Sequence, residues 1–397
     1  MKKTIKGVIN MKKTIWSVTS LCSLTLLLIG CGNSATDSES SVDASSESRE
    51  VVSTTTSETS VSDNEDIIYS TGPNGEKATS AYELSLTEEE KEKVREGNYT
   101  AAISFHYAGN DWSTSQQQGL TDTFEDLGIE IITVTDADFS VEQQVSDIEN
   151  IISLDPDVLV SIPTDATSTA DAYKRASEAG IEIVFMDNVP AGFTAGEEYI
   201  SAVSADNYGN GVIAAELLGD SLNGEGEIGI VYFDADFFVT NQRLEGFKKT
   251  MSEEYPNIKI VSEQGFTDEN SGAELADIIL TQNPNIDGIF AHWDIPAEGV
   301  LSSIKASGSD VKLTTIDLGN NVALEIAQGN VVGLGAQMPY DQGVAEATLA
   351  AYGLLGKEAP EYVAVPAKKV NQTNILEAYE EVYKVEAPKW LKEAANN

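Results

Sequence analysis

The pattern of hydrophobic and polar positions changes at residue 99. From there, short apolar runs with the length of buried strands alternate with segments in which apolar residues recur at helical spacing. The first predicted strands are 101–105, 129–134, 157–162 and 181–186, and the predicted helices between them are 116–127, 141–152 and 170–179. Strands that alternate with helices form parallel sheets covered on both faces, so this pattern predicts a doubly wound α/β lobe.

The same alternation then begins again. The second series of predicted strands is 228–233, 258–261, 286–290 and 312–316, with helices at 210–218, 242–251, 273–281 and 297–306. After these, 331–337 has the pattern of a crossing strand, and 341–355 that of a helix returning to the first lobe. Two successive series of similar size predict two α/β lobes.

A different pattern occupies the N-terminus. Two lysines precede a largely apolar segment, 15–29, that is too short to cross a bilayer comfortably, which is typical of an export signal. The segment ends in Leu-Ile-Gly-Cys at 28–31, which resembles the bacterial lipobox. We therefore expect a signal peptide at 1–30 and a lipid on Cys31 that anchors an extracytoplasmic protein to the cell membrane.

Two details of this N-terminus change the picture further. Met11 is a credible second start, because residues 11–15 repeat residues 1–5. Cys22 would be removed with the signal, so only the lipidated Cys31 would remain of the two cysteines. Disulfides, thiolate metal sites and cysteine nucleophiles are therefore not expected.

Residues 31–97 are rich in Ser, Thr, Asp and Glu and poor in aromatic residues. Such a composition cannot bury a core, so this region is predicted to be a disordered stalk. Near its end, Thr87 and Glu90 have the spacing of a capping box, which predicts a short helix to Arg95.

Charge excludes one class of partner. The chain has 24 Lys and Arg against 65 Asp and Glu, a net charge of −41. Phosphate would be repelled, so no nucleic-acid partner is expected. No segment after the signal is long and apolar enough for a membrane helix.

Seven local patterns together resemble one family, the ribose-type periplasmic sugar-binding proteins that serve ABC importers as substrate receptors. They are Asn110-Asp111-Trp112, Phe185-Met186-Asp187-Asn188, Ser204-Ala205-Asp206-Asn207-Tyr208-Gly209, Arg243-Leu244-Glu245-Gly246-Phe247, Phe290-Ala291-His292-Trp293-Asp294, Thr315-Ile316-Asp317 and Gly335-Ala336-Gln337-Met338-Pro339. Each alone is a weak signal, but their order and spacing match the family over roughly residues 99–376.

The resemblance implies an architecture and a function. The fold would be α/β, with two doubly wound parallel-sheet lobes joined by three hinge crossings near Ala205, Gln337 and Pro366. The lobes would be 98–205 plus 338–365 and 206–337 plus 366–397. The protein would be a monomer that captures a monosaccharide or polyol between its lobes and delivers it to an ABC permease. It would need no catalysis, cofactor or metal.

The residues support such a site on their own terms. In open α/β sheets, ligands bind beyond the carboxyl ends of the strands, where Asp187, Trp293, Asp294 and Asp317 lie. Carboxylates accept hydrogen bonds from hydroxyl pairs, and aromatic rings cover the C–H faces of a sugar. With the resemblance added, the predicted ligand contacts are Asn110, Trp112, Asp187, Asn188, Asn241, Arg243, Phe266, Trp293, Asp294, Asp317 and Gln337.

Three departures from the family put the ligand in doubt. Asn188 stands where the ribose receptor has an arginine, and Trp293 replaces an asparagine. The place of a second ligand-binding arginine falls on Asn241, although Arg243 follows two residues later. A polyol or a different monosaccharide is therefore as good an expectation as ribose.

Structural roles remain open for several of these residues. Asp187 and Asp317 could be helix caps, Trp112 could pack under a loop, and Trp293 could belong to an interlobe core. Arg243 is better explained by an ion pair than by a ligand contact, and the pair 237–238 could line the mouth or fill the core.

Other functions are weaker alternatives. His106 and His292 could hold zinc with nearby acids, although hydrogen bonding or a place outside the pocket suits them better. Residues 209–214 fit a loose dinucleotide fingerprint, but glycines there also suit close packing. No serine-nucleophile elbow is present in the sequence. A sensor that presents its ligand to a signalling receptor is the main alternative to transport. The N-terminal signal argues against a repressor's effector domain.

Overall fold

A computed structural model describes residues 67–396 of the chain. The predicted signal peptide, the lipidated Cys31 and the first part of the predicted stalk lie outside these residues. No helix in the described part of the chain has the length and apolar character needed to cross a bilayer.

Strands and helices alternate through the described residues. The strands are β1 (Thr79–Ser80), β2 (Thr100–Phe105), β3 (Glu130–Asp136), β4 (Val158–Ser161), β5 (Glu182–Met186), β6 (Ser201–Ala205), β7 (Glu225–Phe233), β8 (Asn257–Phe266), β9 (Gly288–Ala291), β10 (Lys312–Ile316), β11 (Gly333–Ala336), β12 (Tyr362–Val365) and β13 (Lys368–Asn371). The helices are α1 (Glu88–Gly97), α2 (Asp111–Leu127), α3 (Val141–Leu154), α4 (Ala170–Glu178), α5 (Asn207–Ser221), α6 (Phe238–Glu254), α7 (Gly272–Gln282), α8 (Asp294–Ser307), α9 (Asn320–Ala327), α10 (Pro339–Leu354), α11 (Ile375–Tyr383) and α12 (Lys389–Ala395).

The strands form two sheets, one in each lobe. The N-terminal lobe contains a seven-stranded sheet in the order β1-β12-β6-β5-β4-β2-β3, in which every pair is parallel. The C-terminal lobe contains a six-stranded sheet in the order β13-β11-β10-β9-β7-β8, parallel except for β13. Every residue of β4 and β9 is buried, as expected for strands covered by helices on both faces. The prediction of two parallel-sheet lobes is confirmed.

The chain passes between the lobes at three places. It leaves the first sheet after β6 and enters the second lobe through Asp206 and α5. It returns through residues 337–338, between β11 and α10, and crosses again at 366–367, between β12 and β13. These places agree with the three crossings that the sequence predicted. They bring the carboxyl ends of strands from both sheets to one region between the lobes.

The segment before residue 98 corrects one prediction. Residues 67–97 are not a disordered stalk, because they pack on the N-terminal lobe. β1 pairs with β12, and Val94 of α1 is completely buried. Thr87 and Glu90 form the predicted capping box at the start of α1. The composition predicted disorder because few residues of this segment are apolar. Strand pairing and a few buried apolar side chains nevertheless fix the segment on the N-terminal lobe.

Close helix packing accounts for the glycines at 209–214. A Cβ on Gly211 would lie 2.1 Å from the carbonyl oxygen of Arg243, so this glycine lets α5 and α6 approach each other. A Cβ on Gly209 would lie 2.2 Å from the carboxylate of Asp206. The dinucleotide alternative is therefore unnecessary, since contacts within the protein already require these two glycines.

Candidate functional site

A cavity of about 200 Å³ lies between the two lobes. It is smaller than the roughly 300–1,000 Å³ of drug-sized sites, so it suits a small ligand. Seven of the eleven predicted contacts line it, namely Asn110, Trp112, Asp187, Arg243, Trp293, Asp317 and Gln337. The lobes are in contact beside it, because the Asp111 carboxylate accepts 2.8 Å hydrogen bonds from both the backbone and the side-chain nitrogen of Asn320. The structure is therefore that of closed lobes.

Asp317 forms the polar wall of the C-terminal lobe. It follows β10 in the left-handed backbone conformation, with φ at 70°. Its carboxylate accepts a 2.7 Å hydrogen bond from the Gln337 amide and pairs with Arg243 at 3.1 Å. Arg243 is itself buried, and it also donates to Asn207 Oδ1 at 2.8 Å and to the carbonyl of His292 at 3.3 Å. These bonds hold the guanidinium in one orientation at the cavity wall.

Asp187 takes the equivalent position in the N-terminal lobe. It follows β5, again with a positive φ of 55°. One of its oxygens accepts a 2.6 Å hydrogen bond from Ser204, and it makes no ion pair with the described residues. Burial raises the pKa of Asp187 to about 6, and the Ser204 hydrogen bond and the Arg243 charge offset part of that rise.

Aromatic rings from both lobes surround these carboxylates. The N-terminal lobe contributes His106, Tyr107, Trp112 and Phe139, and the C-terminal lobe contributes Phe233, Phe237 and Trp293. The rings of His106 and Phe237 stack across the gap, with centroids 5.8 Å apart and planes 22° apart. Such rings can cover the apolar faces of a ligand and exclude water from its polar edges.

Four buried polar atoms at the cavity lack a hydrogen-bond partner within residues 67–396. They are His106 Nδ1, Trp112 Nε1, Thr164 Oγ1 and Gln337 Oε1. Burial lowers the pKa of His106 to about 3, so its ring is neutral and has one donor and one acceptor nitrogen. An unpaired buried polar group costs roughly 1–3 kcal/mol, so these atoms carry a free-energy cost in the ligand-free protein.

The structure does not bring the other four predicted contacts into the cavity lining. On α6, Asn241 and Arg243 point to opposite sides, since two helical positions are about 200° apart. Asn241 is therefore exposed, and Arg243 takes the inward position. Asn188 follows the left-handed Asp187 and is buried away from the cavity lining.

Phe266 and Asp294 lie behind the wall of the C-terminal lobe. Phe266 packs against Phe233 and Trp293, with ring centroids 5.7 and 4.8 Å away, and so supports two rings that do line the cavity. Asp294 begins α8, where one oxygen accepts a 3.0 Å hydrogen bond from the backbone nitrogen of Ile295. Burial raises the pKa of Asp294 well above its usual value, and the nearby Asp317 adds to the rise.

Twelve lining residues were not among the predicted contacts. They are His106, Tyr107, Phe139, Ile162, Thr164, Asp165, Phe233, Ala235, Asp236, Phe237, Val239 and Thr240. Most lie at or just beyond the ends of β2, β4 and β7. The strand-end rule, applied to every strand instead of only those with an acid or tryptophan, would have found them. Of the pair left open in the sequence, Phe237 lines the cavity.

The histidines do not form a metal site. His292 accepts a 3.0 Å hydrogen bond at Nδ1 from the backbone nitrogen of Phe233 and is not part of the cavity lining. Within residues 67–396 no group of three His, Cys, Asp or Glu side chains could hold a metal ion. The zinc alternative therefore has no ligand set in this part of the chain.

Comparisons with known proteins agree with the fold. Residues 101–358 match the family model described as periplasmic binding protein domain. The chain is 25% identical to the ribose import binding protein RbsB of Bacillus subtilis, over 69% of this chain and 88% of that protein. It is 27% identical to the D-ribose/D-allose-binding protein of Pseudomonas aeruginosa, over 69% and 85%.

Solved structures show the same fold. The periplasmic solute binding protein of an ABC transporter from Actinobacillus succinogenes, with bound D-allose, superposes with a TM-score of 0.65 at 26% identity, covering 70% of this chain and 99% of that one. A solute binding protein from Bacillus halodurans with bound myo-inositol superposes with a TM-score of 0.63 at 24% identity, covering 72% and 98%. At that identity the second likeness shows the fold alone.

Proposed function

Because this chain belongs to the periplasmic binding protein domain family, we propose that it captures a monosaccharide or polyol between its lobes and delivers it to the permease of an ABC importer. Members of this family bind solutes and do not transform them, and the site requires no catalytic step. The protein acts as a receptor whose closed form is stabilised by its ligand.

One observation carries the proposal. Each lobe contributes a strand-end carboxylate, the buried Asp187 or the partly buried Asp317, to a cavity walled by aromatic rings. Carboxylates accept from hydroxyl pairs, while rings pack on C–H faces, and a small polyhydroxylated ligand offers both.

Relatives narrow the class of ligand. Curated relatives are named for ribose, allose and apiose, and structural neighbours hold D-allose, D-arabinose, tagatopyranose, allitol or myo-inositol. These ligands are neutral and small, and they carry several hydroxyls. We extend this class, not any one member of it, to the present chain.

Closure would follow from the placement of the contacts. Asp187 belongs to one lobe, and Asp317 with Arg243 belongs to the other, so only the closed form lets one ligand touch both. A permease that recognises the closed pair of lobes would then receive loaded protein in preference to empty protein.

The location is the second part of the proposal. The predicted export signal and lipobox support a location outside the cytoplasmic membrane, with a tether through a lipid on Cys31. With Cys31→Ser, the protein should move from the membrane fraction to the soluble extracytoplasmic fraction. Retention of the variant in the membrane fraction would contradict the lipid anchor without affecting the binding proposal.

Thermal unfolding against a panel of sugars and polyols tests the binding. A compound that binds only the folded protein raises the unfolding midpoint by mass action. We expect at least one of D-ribose, D-allose, D-arabinose, D-tagatose, allitol and myo-inositol to raise it. Asp187→Ala should abolish the rise, whereas Trp390→Ala, a change to an exposed ring on α12, should preserve it. A midpoint raised only by metal ions or nucleotides would overturn the proposal.

A further inference from the structure

An N-terminal segment crosses the hinge in addition to the three chain crossings. Residues 67–80, here called the hinge strap, precede the residues that match the family model, which begin at 101. The strap runs from the first turn of α5 to β1, at the edge of the N-terminal sheet. It therefore lies where the lobes must rotate against each other.

The strap holds the carboxylate of Asp206, the residue at the first crossing. Asp206 is completely buried and caps α5 by accepting a 2.9 Å hydrogen bond from the Gly209 nitrogen. It accepts three more bonds from the strap: from the backbone nitrogens of Tyr69 at 2.9 Å and Ser70 at 2.8 Å, and from the Ser70 hydroxyl at 2.8 Å. Of the four donors to this buried carboxylate within residues 67–396, three therefore come from the strap.

The strap is bonded to both lobes. On the N-terminal side β1 pairs with β12, and Ile68 and Ala78 pack against the core of that lobe. On the C-terminal side the Ser70 hydroxyl accepts from the backbone nitrogen of Tyr208 at 3.0 Å, and the Gln242 amide donates to the carbonyl of Thr71 at 2.8 Å. The two helices that it holds, α5 and α6, belong to the C-terminal lobe.

These contacts continue to the cavity wall through adjacent residues. Asn207 follows Asp206 and accepts the 2.8 Å hydrogen bond from Arg243 Nε. Gln242 directly precedes Arg243 on α6. Arg243 in turn pairs with Asp317 at the cavity. The strap thus sets the position of both helices that orient the guanidinium.

We propose that the hinge strap is a positioning element of the binding site: it links the lobes in their closed arrangement and aligns Arg243 through Asp206 and Gln242. Its effect on closure does not require any particular ligand. Only its effect on affinity rests on the proposed function, so closure is the property to measure.

The experiment measures closure without ligand. Spin labels on Lys174→Cys in α4 and Ser302→Cys in α8, both exposed positions, report the distance between the lobes. The full chain is used, with Cys22 and Cys31 replaced by serine so that only these two sites are labelled. Pulsed dipolar spectroscopy then gives the populations of short and long distances.

One variant of the strap and one variant of its contact on α6 are compared with one control in the strap. Ser70→Ala removes the hydroxyl between Asp206 and Tyr208, and Gln242→Ala removes the bond to Thr71. Asn74→Ala lies in the same strap, but its side chain bonds only to Glu76 within a turn. We expect the ratio of short to long distances to fall about fivefold in Gln242→Ala, which loses one hydrogen bond, and by at least as much in Ser70→Ala, which loses two. In Asn74→Ala the ratio should stay unchanged.

The outcomes separate positioning from stability. A lower unfolding midpoint with an unchanged distance distribution would mean that the strap only stabilises the fold, and this would overturn the proposal. A parent protein without any short-distance population would also overturn it. Because no sugar is present, neither result depends on whether the proposed function is correct.

Discussion

The two lobes place an aspartate at equivalent positions but surround it differently. Asp187 and Asp317 both follow a parallel strand, and both have a positive φ, which is uncommon for residues other than glycine. Asp317 is matched by the buried Arg243 and by the amide of Gln337. Among residues 67–396, the Asp187 carboxylate has only the hydroxyl of Ser204 as a side-chain donor. The charge of one wall is therefore compensated within the protein, whereas that of the other is not.

This difference assigns different roles to the two walls. The C-terminal wall is preassembled, because Arg243 and Gln337 fix Asp317 before any ligand arrives. The N-terminal wall keeps acceptor capacity, because a carboxylate with one hydroxyl donor can still accept from others. Backbone conformations of this kind cost about 1–3 kcal/mol and persist where the surrounding structure holds them, often at functional sites. A ligand with paired hydroxyls would thus donate hydrogen bonds to Asp187 in the N-terminal lobe and bind against the already fixed Asp317 in the C-terminal lobe.

Removing the positive charge of Arg243 should change the free energy of unfolding most. Arg243→Met leaves Asp317, whose side chain is only 13% exposed, without its counter-charge and leaves the Asn207 acceptor unpaired. We expect the free energy of unfolding to fall by about 3–5 kcal/mol, as for other broken buried ion pairs. Urea denaturation at pH 7 measures this loss.

Arg175→Met is the matched control for that loss. Arg175 pairs with Glu149 at 2.9 Å, but the two side chains are 46% and 58% exposed. Its removal should cost less than about 1 kcal/mol. If Arg243→Met were as mild as this control, the C-terminal wall would not depend on its ion pair.

Replacing Asp187, whose charge has no counter-charge beside it, should raise the free energy of unfolding, and the gain should depend on pH. Burial raises the pKa of Asp187 from its ordinary 3.8 to about 6, so the native protein holds an extra proton between these values. The stability from this group is complete below about pH 4 and is lost as pH rises through 6. The Asp187→Asn variant has no carboxylate to ionise at this position and does not lose this stability. The free energy of unfolding of the variant, relative to that of the parent, should therefore rise by about 3 kcal/mol from pH 4 to pH 7.

Urea denaturation of the ligand-free protein at several pH values measures this difference. Arg243, Asp317 and Glu346 also interact electrostatically with Asp187, but they are present in both proteins. Their own titration therefore largely cancels in the comparison. A stability difference that stays flat between pH 4 and pH 7 would show that Asp187 is not a buried, uncompensated charge.

The smallest expected changes in the free energy of unfolding come from removing the uncharged hydrogen-bond donors to the two aspartates, Ser204 and Gln337. Ser204→Ala removes the only side-chain donor to Asp187 among the described residues and should cost about 1–2 kcal/mol at pH 8, where that carboxylate is ionised. Gln337→Ala should cost less than about 1 kcal/mol, because Asp317 keeps Arg243. Equal losses, again from urea denaturation, would contradict the difference between the two walls.

Most of the fold follows from the chain's own periodicity. Each predicted strand from 101–105 to 312–316 overlaps an observed strand, because strands buried on both faces form continuous apolar runs. The prediction missed β1, β6, β12 and β13, which are two to five residues long, and of which β1 and β13 lie at sheet edges. Such strands carry too few residues for a periodic pattern. It also missed the order in residues 67–97, which depends on partners distant in sequence.

The site was less predictable than the fold. Strand ends located Asp187 and Asp317, but which neighbour faces the cavity depends on local geometry. Asn241 and Arg243 are two positions apart on one helix. Which of them points toward the cavity depends on how this helix packs in the fold, and only the arginine does. Phe237 begins a loop-to-helix turn that brings it opposite His106 of the other lobe, a pairing that no local pattern encodes.

A crystal structure with the sugar or polyol that most raises the unfolding midpoint tests the central claim most directly. The account predicts one ligand between the lobes, with a hydroxyl within about 2.5–3.0 Å of each of the Asp187 and Asp317 carboxylates and an aromatic ring against its C–H face. A ligand bound outside the cleft, or one that touches only one of the two aspartates, would contradict it.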